Sequence, residues 1–169
     1  MQIDVRRLRK ADEPVAVRGS LDLSDLIGET LQVEAIEPVH ADLTAEMTEQ
    51  LCLVHGKLST TVTYQCSRCL EPFQTRLVLD FHELFSNVKQ PDEAEIRFVS
   101  TEEFDLAPYI EEAVNLAIEY RPLCSEDCGG LCPTCGGNLN LTTCACETVK
   151  PVDLRLAALE GLLSDDDSK

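Results

Sequence analysis

The sequence predicts an α+β fold: an antiparallel β-meander sheet packed by one helix, followed by a cysteine-rich module and a short closing helix. Three observations carry the prediction. Apolar and polar residues alternate over three successive stretches in the middle of the chain. Apolar residues then recur at helical spacing, and six of the nine cysteines fall within the 23 residues from Cys124 to Cys146. The organisation that follows is a sheet with its helix over 1–120, the cysteine module and closing helix over 121–163, and a disordered acidic tail, "SDDDSK", over 164–169.

Each element has its own signal. From Ala41 to Met47, residues Ala41, Leu43, Ala45 and Met47 share one face. From Cys52 to Cys66 the less polar residues sit at even positions: Cys52, Val54, Leu58, Val62 and Tyr64. From Phe73 to Phe85 they move to odd positions: Phe73, Leu77, Leu79, Phe81 and Phe85. A period of two with β-branched and aromatic residues marks strands buried on one face, and three in a row with short connections read as a meander. After the polar stretch "SNVKQPDEAE", the run "IRFVS" reads as another short strand. Asp105 reads as a helix N-cap with Pro108 in the first turn. Leu106, Ile110, Ala113, Val114, Ala117 and Ile118 then offer an apolar face to the sheet. The closing helix starts at Asp153 and carries Leu156, Leu159, Leu162 and Leu163.

Length fits one domain with a small appendage. With aromatics at 5% and no tryptophan, Leu, Val, Ile and Ala must fill most of the core. "MQIDVRRLRK" has no apolar h-region and no apolar run approaches the ~18 residues of a membrane span, so the expectation is a soluble cytoplasmic protein. Thiols stay reduced in that compartment and nine is an odd count, which points the cysteines to metal or redox chemistry rather than disulfides. Net charge is −17 and uneven: residues 1–20 hold five Lys/Arg against three acids, 21–60 one lysine against eight acids, and 81–120 two bases against ten. Such a surface repels a nucleic-acid backbone and attracts basic partners, and it keeps the chain soluble in any case.

In "CPTCGG" the thiols of Cys132 and Cys135 flank a tight turn that brings both sulfurs to one ion, and the glycine after the second allows a positive φ. Cys144 and Cys146, one residue apart, put both sulfurs on one side of an extended segment. With the eight-residue loop "GGNLNLTT" between the pairs, these four make a compact four-thiolate site for structural zinc. Cys124 and Cys128 are spaced to share a face of one helical turn, and Cys66 and Cys69, in "CSRC", lie at the tip between two strands. These four are a candidate second site, for one or two zinc ions in all, although spacing alone permits three pairings of the cysteine pairs. Without a ligand role, Cys66 and Cys69 are a free, reduced pair. Cys52, unpaired in mid-strand, reads as a small buried hydrophobe.

Enzymatic readings fit less well. Cys128, Cys132 and Cys135 have the C-x3-C-x2-C spacing that holds a four-iron cluster in radical SAM enzymes, but those need a large barrel and a SAM-binding glycine motif. A redox dithiol would want its reactive thiol at a helix N-terminus, where the pKa falls, whereas "CSRC" joins two strands. His40, His55 and His82 are scattered over solvent-facing strand positions, and no phosphate loop, nucleophile elbow or HExxH motif occurs. The expectation is a protein that is not an enzyme.

The order "CSRCLEPF", "DLAPYIEEAVNLAIEYRPLC", "CGGLCPTCGGNLN…CAC" and "DLRLAALEGLL" resembles the YceD family from roughly Leu51 to Leu163. These bacterial and chloroplast proteins are described as large ribosomal RNA subunit accumulation proteins. The resemblance implies a non-enzymatic ribosome-biogenesis factor needed for accumulation of large-subunit (23S) rRNA. Some members lack the downstream cysteines, which implies that metal stabilises the module rather than being the shared activity. Charge adds a constraint, because so acidic a chain offers few Lys/Arg to release counterions from phosphates. An RNA contact would have to use Arg6, Arg7, Arg9 and Lys10, with Arg68 and Arg76; otherwise "RRLRK" is a solvated strand edge. The acidic remainder better fits a basic ribosomal protein or a large-subunit precursor particle as partner, with no membrane and no small-molecule substrate. Direct RNA binding and a thiol redox role are the alternatives.

Overall fold

The computed structural model of the chain describes residues 1–11, 13–24, 32–48, 51–88 and 96–146. The expected closing helix with Asp153, Leu156, Leu159, Leu162 and Leu163, and the tail 164–169, lie outside the described residues. The elements are β1 (Gln2–Asp4), α1 (Val5–Leu8), β2 (Val15–Leu21), β3 (Val33–Ile36), β4 (Val39–Thr48), β5 (Leu51–Gln65), β6 (Pro72–Ser86), β7 (Ile96–Phe98), β8 (Glu103–Asp105) and α2 (Ala107–Ala117). Among the described residues no helix is long and apolar enough to cross a membrane.

The alternating stretches become β4, β5 and β6. β5 and β6 are 15 residues each and pair antiparallel from Cys52↔Phe85 to Gln65↔Pro72. The register puts the even positions of β5 beside the odd positions of β6, and both rows turn to the face that α2 covers. Cys52, Val54, Leu58, Val62, Tyr64, Phe81 and Phe85 are buried there with Leu106, Ile110 and Val114. Phe85 anchors the contact, its ring centroid 4.6 Å from Phe104 and 4.8 Å, edge-on, from Tyr109. Each such side chain contributes about 1.5–3 kcal/mol by leaving water. Cys52 is among them, and burial pushes its thiol up to about 11.

The sheet is not the simple antiparallel meander expected from the sequence. Its order is β2-β4-β5-β6-β7, with β3 also on β5, and β7 runs parallel to β6. A two-residue turn forces an antiparallel neighbour, whereas the long connection between β6 and β7 leaves the direction free. β3 and β4 lie end to end along one edge of β5, broken at Glu37–Pro38, where proline has no N–H to donate. The buried Thr60 mends the break: its Oγ1 donates to the Glu37 carbonyl at 2.7 Å. β1 and β8 form a separate two-stranded sheet. "RRLRK" is not a strand edge but lies in and just after α1, capped by Asp4, whose Oδ1 accepts from the Arg6 N–H at 2.9 Å. Asp105 falls one residue before the N-cap of α2 and still accepts from the Ala107 N–H at 3.1 Å.

On the outer face Arg18, Asp42, Lys57 and Asp80 stand directly opposite one another across four strands, so that charges alternate in sign along this row. His40 and His82 are exposed there as expected, but His55 is half-buried, with Nδ1 sealed from solvent and unbonded among the described residues.

Gly56 interrupts the inward row of β5 opposite Leu43 and Phe81. Its φ is +151°, and a Cβ would stand 2.3 Å from the Asp42 carbonyl oxygen. Gly56→Ala is expected to lower stability by about 2–3 kcal/mol, read as a shifted denaturant midpoint at unchanged slope.

Candidate metal centres

Two tight turns in the chain share one hydrogen-bond pattern. At the β5–β6 tip the Cys66 N–H donates to the Glu71 carbonyl at 3.0 Å and the Leu70 N–H to the Cys66 carbonyl at 3.0 Å. At "CPTCGG" the Cys132 N–H donates to the Gly137 carbonyl at 2.8 Å and the Gly136 N–H to the Cys132 carbonyl at 2.8 Å. In both, the residue after the second cysteine is left-handed: Gly136 at φ +72° and Leu70 at φ 60°. Glycine takes that conformation freely, while a residue with a Cβ loses about 1–2 kcal/mol.

These turns bring eight cysteines into two groups of four. Cys66, Cys69, Cys124 and Cys128 form one and Cys132, Cys135, Cys144 and Cys146 the other, with all sulfurs of a group within 4.8 Å of one another. Sulfur separations are 3.7 Å for Cys66–Cys128, 3.7 Å for Cys69–Cys124 and 3.3 Å for Cys132–Cys144. Disulfide sulfurs stand about 2.05 Å apart, and all nine cysteines are free thiols. A tetrahedral metal bound at about 2.3 Å from four thiolates spaces them about 3.8 Å apart, so both groups fit one ion. Cys124 and Cys128 do not share a helical turn; the Cys128 N–H instead donates to the Ser125 carbonyl at 3.1 Å in a tight turn.

The thiol chemistry agrees with that fit. Burial alone would push Cys66 up, but N–H groups of Cys69, Cys124 and Arg68 outweigh it and bring the thiol down to about 6. The N–H groups of Cys135 and Thr134 bring Cys132 to about 6 in the same way. Their neighbours move oppositely, Cys124 to about 12 beside Cys128 and Cys146 to about 12 beside Cys135. Four sulfurs this close cannot all ionise against their mutual repulsion, whereas a divalent cation among them deprotonates the whole set.

Contacts around the first group fasten the hairpin tip to the chain after α2. The Ser67 N–H donates to the Pro122 carbonyl at 2.9 Å, and the Leu131 N–H to the Arg68 carbonyl at 3.1 Å. Arg68 Nη1 donates to the carbonyls of Cys128 at 3.0 Å and Glu126 at 3.3 Å. Gly130, at φ +71°, passes so close that a Cβ would lie 3.1 Å from the Arg68 carbonyl oxygen. Asn140 joins the two groups: from the loop of the second, its Nδ2 donates to Cys128 Sγ at 3.3 Å, and its Oδ1 accepts from the Gly129 N–H at 2.7 Å.

A family model described as large ribosomal RNA subunit accumulation protein YceD matches residues 54–163. The chain belongs to the YceD family. Proteins of Mycobacterium bovis and Mycobacterium tuberculosis, each carrying only the name uncharacterized protein, are 30% identical to it over 143 residues, or 80% of this chain and 69% of theirs. A maize (Zea mays) protein named large ribosomal RNA subunit accumulation protein YCED homolog 1, chloroplastic, is 26% identical over 140 residues, or 63% of this chain and 47% of its own. No solved structure matches. Both cysteine groups lie inside the stretch that the YceD model matches.

The basic residues singled out for RNA are placed differently from one another. Arg6 Nε and Arg9 Nη1 both bind Glu102, at 2.6 and 2.8 Å, and Arg68 is turned to backbone carbonyls. The hydrogen bond from Arg6 holds the Glu102 carboxyl below the usual carboxylate range. Arg7, Lys10 and Arg76 are exposed and make no ion pair among the described residues. Asn140 and Leu70 were not evident as site residues from the sequence. Leu70 had a signal, since it occupies the position that glycine holds in the second turn, whereas nothing local marks Asn140.

Two outcomes are expected. Asn140→Ala should weaken metal binding at the first group about 10–100-fold, as losing a partner of a metal ligand does, and leave the second group unaltered; competition with a chromophoric chelator measures both. Cys132→Ser should release amide protection chiefly within 129–146, whereas Cys66→Ser should also loosen the β5–β6 tip. Hydrogen exchange resolves these regions.

Proposed function

We propose that this YceD protein is a non-enzymatic factor of large-subunit assembly that binds a basic ribosomal protein or a precursor particle, its binding end held rigid by two structural zinc ions. The family name supports the link to large-subunit rRNA. Thiolate-only tetrahedral sets suit zinc. In that role the metal supplies folding free energy to the hairpin tip and cysteine segment, where little apolar surface is buried among the described residues. Among the described residues, the hydrophobic side chains packed with Cys66, Cys69 and Cys128 are Phe73 and Leu123.

The observation that carries the choice of partner is the engagement of Arg6 and Arg9 by Glu102. Two of the four cations of the N-terminal basic stretch thus share one carboxylate of the chain, whose net charge is −17. Steered association with a cationic partner follows from such a surface. Direct RNA binding is the second reading, supported by Arg7, Lys10 and Arg76, which keep their charge available. A thiol enzyme fits poorly. The lowered thiols here are Cys66, Cys128 and Cys132, all three buried.

Metal analysis of protein expressed with zinc and iron both available should give two zinc per chain; a brown protein with an iron–sulfur spectrum would overturn the assignment. Association with large-subunit ribosomal proteins should slow steeply with salt as the screening length falls from ~10 Å at 0.1 M to ~3 Å at 1 M. Neutralising the exposed Glu103 and Glu111 should slow it further, while Arg7→Ala with Lys10→Ala should leave it unchanged or faster. The opposite response of the two variants, with rRNA bound instead, would favour the RNA reading.

A further inference from the structure

We infer that the β5–β6 tip and the chain just after α2 form the docking surface for a lysine- and arginine-rich protein segment that presents a bulky apolar side chain, and that Leu70 is held left-handed to serve it. The inference rests on the proposed binding of a basic partner and gives that binding a location.

The first observation is the equivalence of the two turns. Leu70 and Gly136 occupy the same place in the same hydrogen-bond pattern and have nearly the same φ, 60° and +72°. Glycine would satisfy the turn without strain, so the fold gives no reason for leucine. Burial gives none either, because Leu70 is 53% exposed. Strain retained at an exposed position points to a contact made outside the chain.

The second observation is what surrounds it. A cleft of about 470 Å³ opens beside Leu70, lined also by Gln32, Gln65, Ser67, Tyr120 and Arg121. Tyr120 is 82% exposed, and Leu116, in the last turn of α2, is 80% exposed. Large apolar side chains standing this far into solvent, Leu70 and Tyr120 of them lining one cleft, mark an interaction surface. Glu71 follows Leu70 and Glu119 precedes Tyr120; both carboxylates are exposed and outside any ion pair among the described residues. Arg121 is the one charged side chain in the lining itself, and the two exposed carboxylates next to Leu70 and Tyr120 complement a basic segment with an apolar anchor. Gln32, Gln65 and Arg121 supply hydrogen bonds for the guest's backbone.

Full-length, zinc-loaded protein is immobilised and challenged separately with the proteins extracted from a purified bacterial large ribosomal subunit and with the rRNA of that particle. Wild type, Leu70→Gly, Tyr120→Ala and the double variant Glu71→Gln/Glu119→Gln are compared by affinity for the retained, identified protein, by zinc content and by unfolding temperature. In Leu70→Gly, relief of left-handed strain and the greater freedom of glycine in the unfolded chain oppose each other. Zinc content and unfolding temperature are therefore expected to stay as in wild type. Affinity for a basic ribosomal protein should fall at least tenfold in Leu70→Gly and in Tyr120→Ala, and the carboxylate variant should bind more weakly with a shallower salt dependence. Undiminished binding by both apolar variants would overturn this location and leave the proposed function standing. Loss of zinc or of folding in Leu70→Gly would make Leu70 structural and also overturn it. Retention of rRNA by wild type, lost in the same variants, would give the surface to RNA instead. If wild type retains no ribosomal protein, the proposed function itself fails.

Discussion

Convergence of Cys66, Cys69, Cys124 and Cys128 is the constraint on which the candidate site depends. Two of these sulfurs come from the tip of the longest hairpin and two from the segment that follows α2. Among the described residues, apolar packing at this end is thin, and the principal core lies towards Phe85, Phe104 and Tyr109. A unit this small cannot hold itself together by burial alone, and metal ligation is a recurrent substitute. Once the four sulfurs are together, the contacts of Ser67, Arg68 and Gly130 follow from the closeness of the two backbones.

The two groups are built on one template but bear different loads. The first ties the sheet to the chain beyond α2, and its sulfurs are largely buried. The second closes a loop on itself, with Cys135 exposed. Asn140 couples them, because its side chain touches a ligand of the first group from a loop whose shape the second group sets. Order at the hairpin tip therefore draws on both centres.

Charge is distributed by the same economy. Arg6 and Arg9 pair at the surface with Glu102, Lys57 lies between Asp42 and Asp80, and Arg97 reaches Glu83 and Glu112. Exposed pairs of this kind add little stability, typically about 0–1 kcal/mol. Their larger effect is on the field, because the bases so paired are cancelled locally.

Local pattern alone determined the central strands, the helix after Asp105 and the tight turn at Cys132 and Cys135. Side-chain alternation, helical spacing and glycine after cysteine are properties of a few consecutive residues. The family resemblance, too, was carried by short motifs in order. Tertiary structure decided what depends on distant partners. β7 proved parallel because a long connection does not fix strand direction, and β3 met β5 through hydrogen bonds that no local pattern specifies. Spacing allowed three pairings of the cysteine pairs; the fold brings Cys66 and Cys69 to Cys124 and Cys128 across more than fifty residues. Arg6 meets Glu102 at a separation of 96 residues, so a run that reads as free positive charge in the sequence is partly paired within the chain. Sequence states which groups a chain carries; only the fold states which of them face one another, because ion pairing and metal ligation act through space rather than along the chain.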